Sequence, residues 1–175
     1  SDPQASARKQ LEKQNISVSP QNLFKAIEMG DVQHTFLLLE AGIDINIRVG
    51  DMTPLIAAIE WDKQKLVDHL LTQWVPDVTM KQNNGRTALM AAVNNSNKML
   101  ITQLLNLGAD INAPLDNGMT PLMRAVLRES YEVVEILLKS GANLNLKNIK
   151  NETALSIAED RNDEKILRLL RNVKN

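Results

Sequence analysis

A chain of 175 residues is long enough for one compact domain or a short array, and length alone does not choose between them. The apolar fraction of 43% suits a folded protein, but aromatics are only 3%; the core must be built from Leu, Ile, Val, Ala and Met, which favours thin helical layers over a large globular centre. Twenty lysines and arginines balance 21 aspartates and glutamates for a formal net charge of −1, so the concentrated basic footprint of a nucleic-acid surface is missing.

Cysteine is absent, which excludes disulfides and thiolate metal sites and fits a reducing, cytoplasmic setting. No apolar run approaches the roughly 20 residues needed to span a bilayer, so no membrane role is expected. The chain carries no signal-peptide pattern and opens with Ser1 rather than Met, which leaves room for a trimmed chain or one piece of a longer protein.

Residues 1–19 begin polar. From Ala5 to Asn15 they are mostly good helix formers with little apolar periodicity, which predicts a capping helix or a frayed leader over the first layer, with a dedicated docking arm as the sharper alternative. Beyond them a segment recurs. Thr53-Pro54-Leu55, Thr87-Ala88-Leu89, Thr120-Pro121-Leu122 and Thr153-Ala154-Leu155 start at intervals of 34, 33 and 33 residues. Each threonine can cap a short helix, and a proline just inside lacks an N–H that would go unpaired there anyway. Ala58, Ala92, Ala125 and Ala158 follow in register, small enough to let neighbouring helices approach. Leucine pairs close a second helix at Leu38-Leu39, Leu70-Leu71, Leu104-Leu105 and Leu137-Leu138. Gly42, Gly108 and Gly141 then supply a left-handed stop, followed by Asp44-Ile45-Asn46, Asp110-Ile111-Asn112 and Asn143-Leu144-Asn145. A fixed period of this length means stacked helix pairs, none stable alone.

This pattern resembles the ankyrin repeat, a β-turn finger followed by two antiparallel helices. The resemblance implies an all-α repeat solenoid of helix-turn-helix units over residues 20–175, with units at about 20–47, 48–81, 82–114, 115–147 and 148–175. The first unit is degenerate, with Gln21-Asn22-Leu23-Phe24-Lys25-Ala26 in place of the threonine segment, and the charged helix Asp163–Arg171 suits a terminal cap. Other departures stand out. The family's histidine after Thr-Pro-Leu is replaced by Ile56, Met90, Met123 and Ser156, so packing must substitute for its hydrogen bonds. The second unit ends Gln73-Trp74-Val75-Pro76-Asp77; losing the glycine and gaining a proline predicts an altered helix exit and a local change in stacking. Asn151 stands at one finger's turn glycine, and Asp51, with Gly50 one place earlier, predicts a shifted turn in the second unit.

No catalytic constellation emerges, and no cofactor or metal is expected. The chain lacks a Walker loop, a dinucleotide glycine fingerprint, and a nucleophile with a nearby base. His34 and His69, on predicted second helices, read as structural histidines; acidic pairs such as Glu159-Asp160 read as solvated charge, and the Asn-x-Ser/Thr triplets at Asn15, Asn94 and Asn151 as coincidence.

The resemblance instead implies protein binding through a preformed concave groove. Its contact positions fall here on Val49, Met52, Glu60 and Trp61; on Asn83, Asn84, Arg86, Asn94 and Asn95; on Asp116, Asn117, Met119, Leu127 and Arg128; and on Ile149, Lys150, Glu152, Asp160 and Arg161. Trp61, Met52, Met119, Leu127 and Ile149, interleaved with Arg86 and Arg128, are the residue types that dominate interfaces. The competing expectation is that Trp61 folds back onto its own repeat and that Met52 and Met119 pack between fingers. Trp74 is expected to cover the irregular Val75-Pro76 turn. The partner is expected to be another protein, bound by a monomer. Two alternatives stand beside this: the substrate-recruiting region of a longer enzyme or secreted bacterial effector, acting in a host cell, and a self-association unit using the Trp74 side.

Overall fold

The computed structural model describes residues 2–173; Ser1, at the head of the predicted leader, and Lys174 and Asn175, at the end of the predicted last unit, lie outside them. The described residues form eleven helices and one isolated β-bridge, an all-α repeat fold. The chain divides into two compact units, with the division between Asp77 and Val78.

The first unit holds α1 (Pro3–Lys13), α2 (Pro20–Glu28), α3 (Val32–Glu40), α4 (Pro54–Glu60) and α5 (Gln64–Gln73). Asp2 caps α1 by accepting the Gln4 N–H at 3.0 Å, so the helix starts two residues before the predicted Ala5. Its apolar signal is small but sufficient: Ala7 and Leu11, one turn apart, are both buried where α1 lies against α3. Arg8 Nε and Gln4 Nε2 donate to the Ala41 carbonyl at 2.9 and 3.2 Å, satisfying an acceptor that the end of α3 leaves open. Helix α2 packs on α3 and α4, and α4 on α5, around Leu23, Ile27, Leu38, Leu55, Ile56 and Leu70. Helix α5 ends without a left-handed residue. Trp74 is extended (φ −119°, ψ 163°), Val75 is 90% exposed and Pro76 is buried, so the exit differs from the others as its sequence predicts. The finger before α4 is a tight two-residue turn: Val49 and Met52 exchange both backbone hydrogen bonds (3.0 and 3.2 Å), and Gly50, rather than Asp51, takes positive φ.

The second unit holds α6 (Ala88–Asn94), α7 (Lys98–Asn106), α8 (Pro121–Leu127), α9 (Tyr131–Lys139), α10 (Ala154–Asp160) and α11 (Glu164–Arg171). These pair as α6–α7, α8–α9 and α10–α11, with α8 packed between α6 and α10 and α9 against α7 and α11. The caps form as expected: Thr87, Thr120 and Thr153 accept N–H bonds from Met90, Met123 and Ser156, as Thr53 does from Ile56 in the first unit. Ala92, Ala125 and Ala158 have no exposed surface, the close approach their size permits. Met90 and Met123 fill the family's histidine positions as buried core, and Ser156 there completes a capping box with Thr153.

The fingers of this unit are held edge to edge. The Asp116 N–H donates to the Asn84 carbonyl and the Ile149 N–H to the Asn117 carbonyl, each at 2.9 Å. Gly118 sits at φ +78°, and a Cβ there would stand 2.8 Å from the Asn148 Cα, so both the turn and the neighbouring finger require glycine. The Asp-Ile-Asn stretches do a parallel job behind the fingers. Asn112 Oδ1 accepts the Asn143 N–H at 2.9 Å, and within the first unit Asn46 Oδ1 accepts the Asp77 N–H at 2.8 Å.

Candidate interaction surface

The fingers and first helices of the second unit form an open cleft of about 410 Å³. Met119, Leu127 and Ile157 give it apolar walls, while Lys150, Glu152 and Asp160 bring charge to it. Seven of the sequence-predicted contact residues thus converge there: Asn117, Met119, Leu127, Lys150, Glu152, Asp160 and Arg161. Each is placed by a local device. Asn117 Oδ1 accepts the Met119 N–H at 3.0 Å and fixes the finger tip. Asn148 does the same for Lys150 and also ties down Glu152, whose Oε2 accepts from Asn148 Nδ2 at 2.7 Å. Asp116 and Arg128 are exposed nearby, and Ile149, its backbone tied to Asn117, leaves its side chain 76% exposed.

Asn84 is exposed, but its Oδ1 accepts the Arg86 N–H at 3.0 Å and builds its finger; Asn83 is exposed and Arg86 half-buried. In the first unit Val49 and Met52 are half-buried partners across their turn, and Glu60 is half-buried. Trp61 is half-buried. Its ring stands edge-on to Phe24 of α2, centroids 6.5 Å apart, so part of its surface already serves the fold. Trp74 packs edge-on to Phe36 of α3 at 6.3 Å and leaves Val75 uncovered.

Both histidines have structural partners. His34 Nδ1 lies 2.6 Å from Asp31 Oδ2 and its Nε2 2.6 Å from Gln14 Oε1, while His69 Nδ1 meets the Lys65 carbonyl at 2.6 Å. Burial pushes the Asp31 carboxyl up, but the hydrogen bonds and charge of His34 outweigh it and hold the group below its ordinary value. Among the described residues no three His, Cys, Asp or Glu side chains gather as a metal-ion set, and no helix is long and apolar enough to cross a membrane.

A family model of ankyrin repeats (3 copies) matches residues 64–148 and again 117–175, together more than half of the chain. The chain belongs to the ankyrin-repeat family. Such repeats are in general protein–protein interaction modules. Comparison with curated proteins returns no match. Residues before 64, which include the degenerate first helix pair, lie outside the matched span.

One residue of this ankyrin surface escaped the sequence reading. Arg124 lies within the short first helix Pro121–Leu127, half-buried, where the in-register copies carry Ala57, Ala91 and Ile157. Its Nε donates to Asn94 Oδ1 at 2.5 Å. A charge inside a seven-residue helix that is otherwise Pro, Leu, Met, Ala and Val is the signal that would have found it.

Proposed function

We propose that the chain is a non-enzymatic protein-interaction module that binds a partner protein, as a monomer, through the finger and first-helix side of its second unit. The cleft walled by Met119, Leu127 and Ile157 is the observation that carries this reading. It combines an apolar pocket with a polar rim, the arrangement that concentrates binding energy in a few anchors. Its walls belong to capped helices and hydrogen-bonded fingers, so little ordering entropy is lost on association. The balanced charge of the chain supports a protein partner over nucleic acid or an anionic membrane surface. The reading places the protein in the cytoplasm of the producing cell, or of a host cell if it is delivered as an effector. In the first unit Trp61 is a subsidiary contact, since its Phe24 packing leaves only part of the ring to a partner.

An affinity capture comparing the wild-type chain with Leu127→Asp tests the proposal, with circular dichroism confirming that the variant stays folded. A charge at this apolar wall should weaken capture by roughly 2 kcal/mol or more, about 30-fold. Equal capture by both proteins would remove the cleft as the binding site.

A further inference from the structure

We propose that the partner segment bound by this surface carries a carboxylate side chain, received by Arg124, beside an apolar side chain that enters the cleft. The inference rests on the interaction-module reading and names its ligand chemistry. Arg124 is half-buried on α8, one turn before the exposed Arg128 and three residues before the cleft wall Leu127. A guanidinium carries five N–H donors in a rigid fork and keeps its charge at any physiological pH. Among the described residues only Nε is used, and it meets a neutral amide oxygen, Asn94 Oδ1. Among them the two Nη groups have no hydrogen bond or ion pair, and no carboxylate pairs with the charge.

The contrast with the next copy along is informative. Arg161, one repeat later, forms an ion pair with Glu129. Arg128, its copy one repeat earlier, has no such partner among the described residues. Two cations separated by one helical turn, one of them partly withdrawn from water, thus stand without a carboxylate partner among the described residues, on the helix whose Leu127 walls the cleft. Partial burial of an unpaired charge costs stability, and an incoming anion recovers that cost while making short, charge-assisted hydrogen bonds. The terminal nitrogens left free on the fork match the two oxygens of one carboxylate. The ligand is therefore a peptide segment with Asp or Glu a few residues from Leu, Ile, Met or Phe.

A random-peptide library displayed on phage and selected on the full chain supplies the probe, with selected peptides remeasured by calorimetry against Arg124→Gln, Arg124→Lys and Leu127→Asp. The expected result is enrichment of Asp or Glu next to an aliphatic or aromatic residue. Arg124→Gln should weaken binding by about tenfold to a hundredfold, the range for a lost hydrogen bond to a charged group. Arg124→Lys should fall between, because the charge remains and the fork is lost. The melting temperature of Arg124→Gln should stay close to that of the wild type, since one hydrogen bond to Asn94 is lost but no ion pair is broken. Peptides that lose binding on Leu127→Asp but show no acidic preference, or that bind Arg124→Gln undiminished, would overturn the carboxylate inference alone. Peptides indifferent to both substitutions, or no enriched peptide, would overturn the interaction reading with it.

Discussion

The edge-to-edge contact of the fingers can be separated from the cost of turn geometry by comparing Gly118→Ala with Gly141→Ala. Both glycines have positive φ, +78° and +91°. An alanine in left-handed geometry costs roughly 1–2 kcal/mol, of which about 0.4–1 kcal/mol is returned because the unfolded chain loses freedom. The two positions differ in what surrounds the new methyl. At Gly141 it meets nothing within 4 Å, whereas at Gly118 it would lie 2.8 Å from the Asn148 Cα and 3.2 Å from the Ile149 N. Those atoms are backbone, so relief means moving the fifth finger and stretching the 2.9 Å bond from the Ile149 N–H to the Asn117 carbonyl. Losing that bond adds about 0.5–1.5 kcal/mol. The expectation is about 1 kcal/mol for Gly141→Ala and about 2 kcal/mol or more for Gly118→Ala. Urea unfolding followed by circular dichroism gives the difference, provided both variants keep the wild-type slope; a changed slope would signal that the repeats no longer unfold together. Hydrogen exchange at the Ile149 amide should quicken in Gly118→Ala only. Equal destabilisation, or a protected Ile149 amide in both, would refute the claim that backbone proximity fixes glycine at 118.

Other outcomes follow from single contacts. Lys63 begins α5 without a side-chain cap, whereas Asn97 caps α7 through its Oδ1 at 3.1 Å from the Leu100 N–H; Lys63→Asn should therefore raise unfolding stability by about 1 kcal/mol in a urea melt. Asp31 caps α3 and is held below its ordinary pKa, so its charge contributes stability above the unfolded value near 3.8, lost as pH falls through the lower folded value. Asparagine caps equally well but cannot ionise, so the wild type should be more stable than Asp31→Asn at neutral pH and lose that advantage in melts below about pH 4. Leu11→Ala empties a fully buried site under α1, and a loss of roughly 2–5 kcal/mol should appear as faster hydrogen exchange or proteolysis confined to residues 2–15 if α1 detaches first.

Most of the fold was legible because its determinants are local and repeated. A threonine at the start of four first helices, an alanine in the same register and a glycine after most second helices each solve a problem of a single turn, and repetition multiplied a weak signal. The irregular features were legible where they broke that register, as at Trp74-Val75-Pro76 and Gly50-Asp51. What the pattern could not give was the destination of side chains that leave their own repeat. Trp61 reaches back to Phe24 and Trp74 to Phe36, contacts between residues 37 and 38 positions apart that no local periodicity encodes. The same limit explains the asparagines. Asn84 and Asn117 occupy contact positions by register, yet their Oδ1 atoms are already held by finger turns, so their amide NH₂ groups are the freer part for a partner. Arg124 fails in the opposite sense. Its position is one that the other copies in this chain fill with apolar residues, so register alone passes over it, while its chemistry sets it apart from Ala57, Ala91 and Ile157. A charged residue that departs from a structural position without gaining an internal ion-pair partner weakens its own fold slightly, and that makes Arg124 a better pointer to the ligand than residues chosen by register alone.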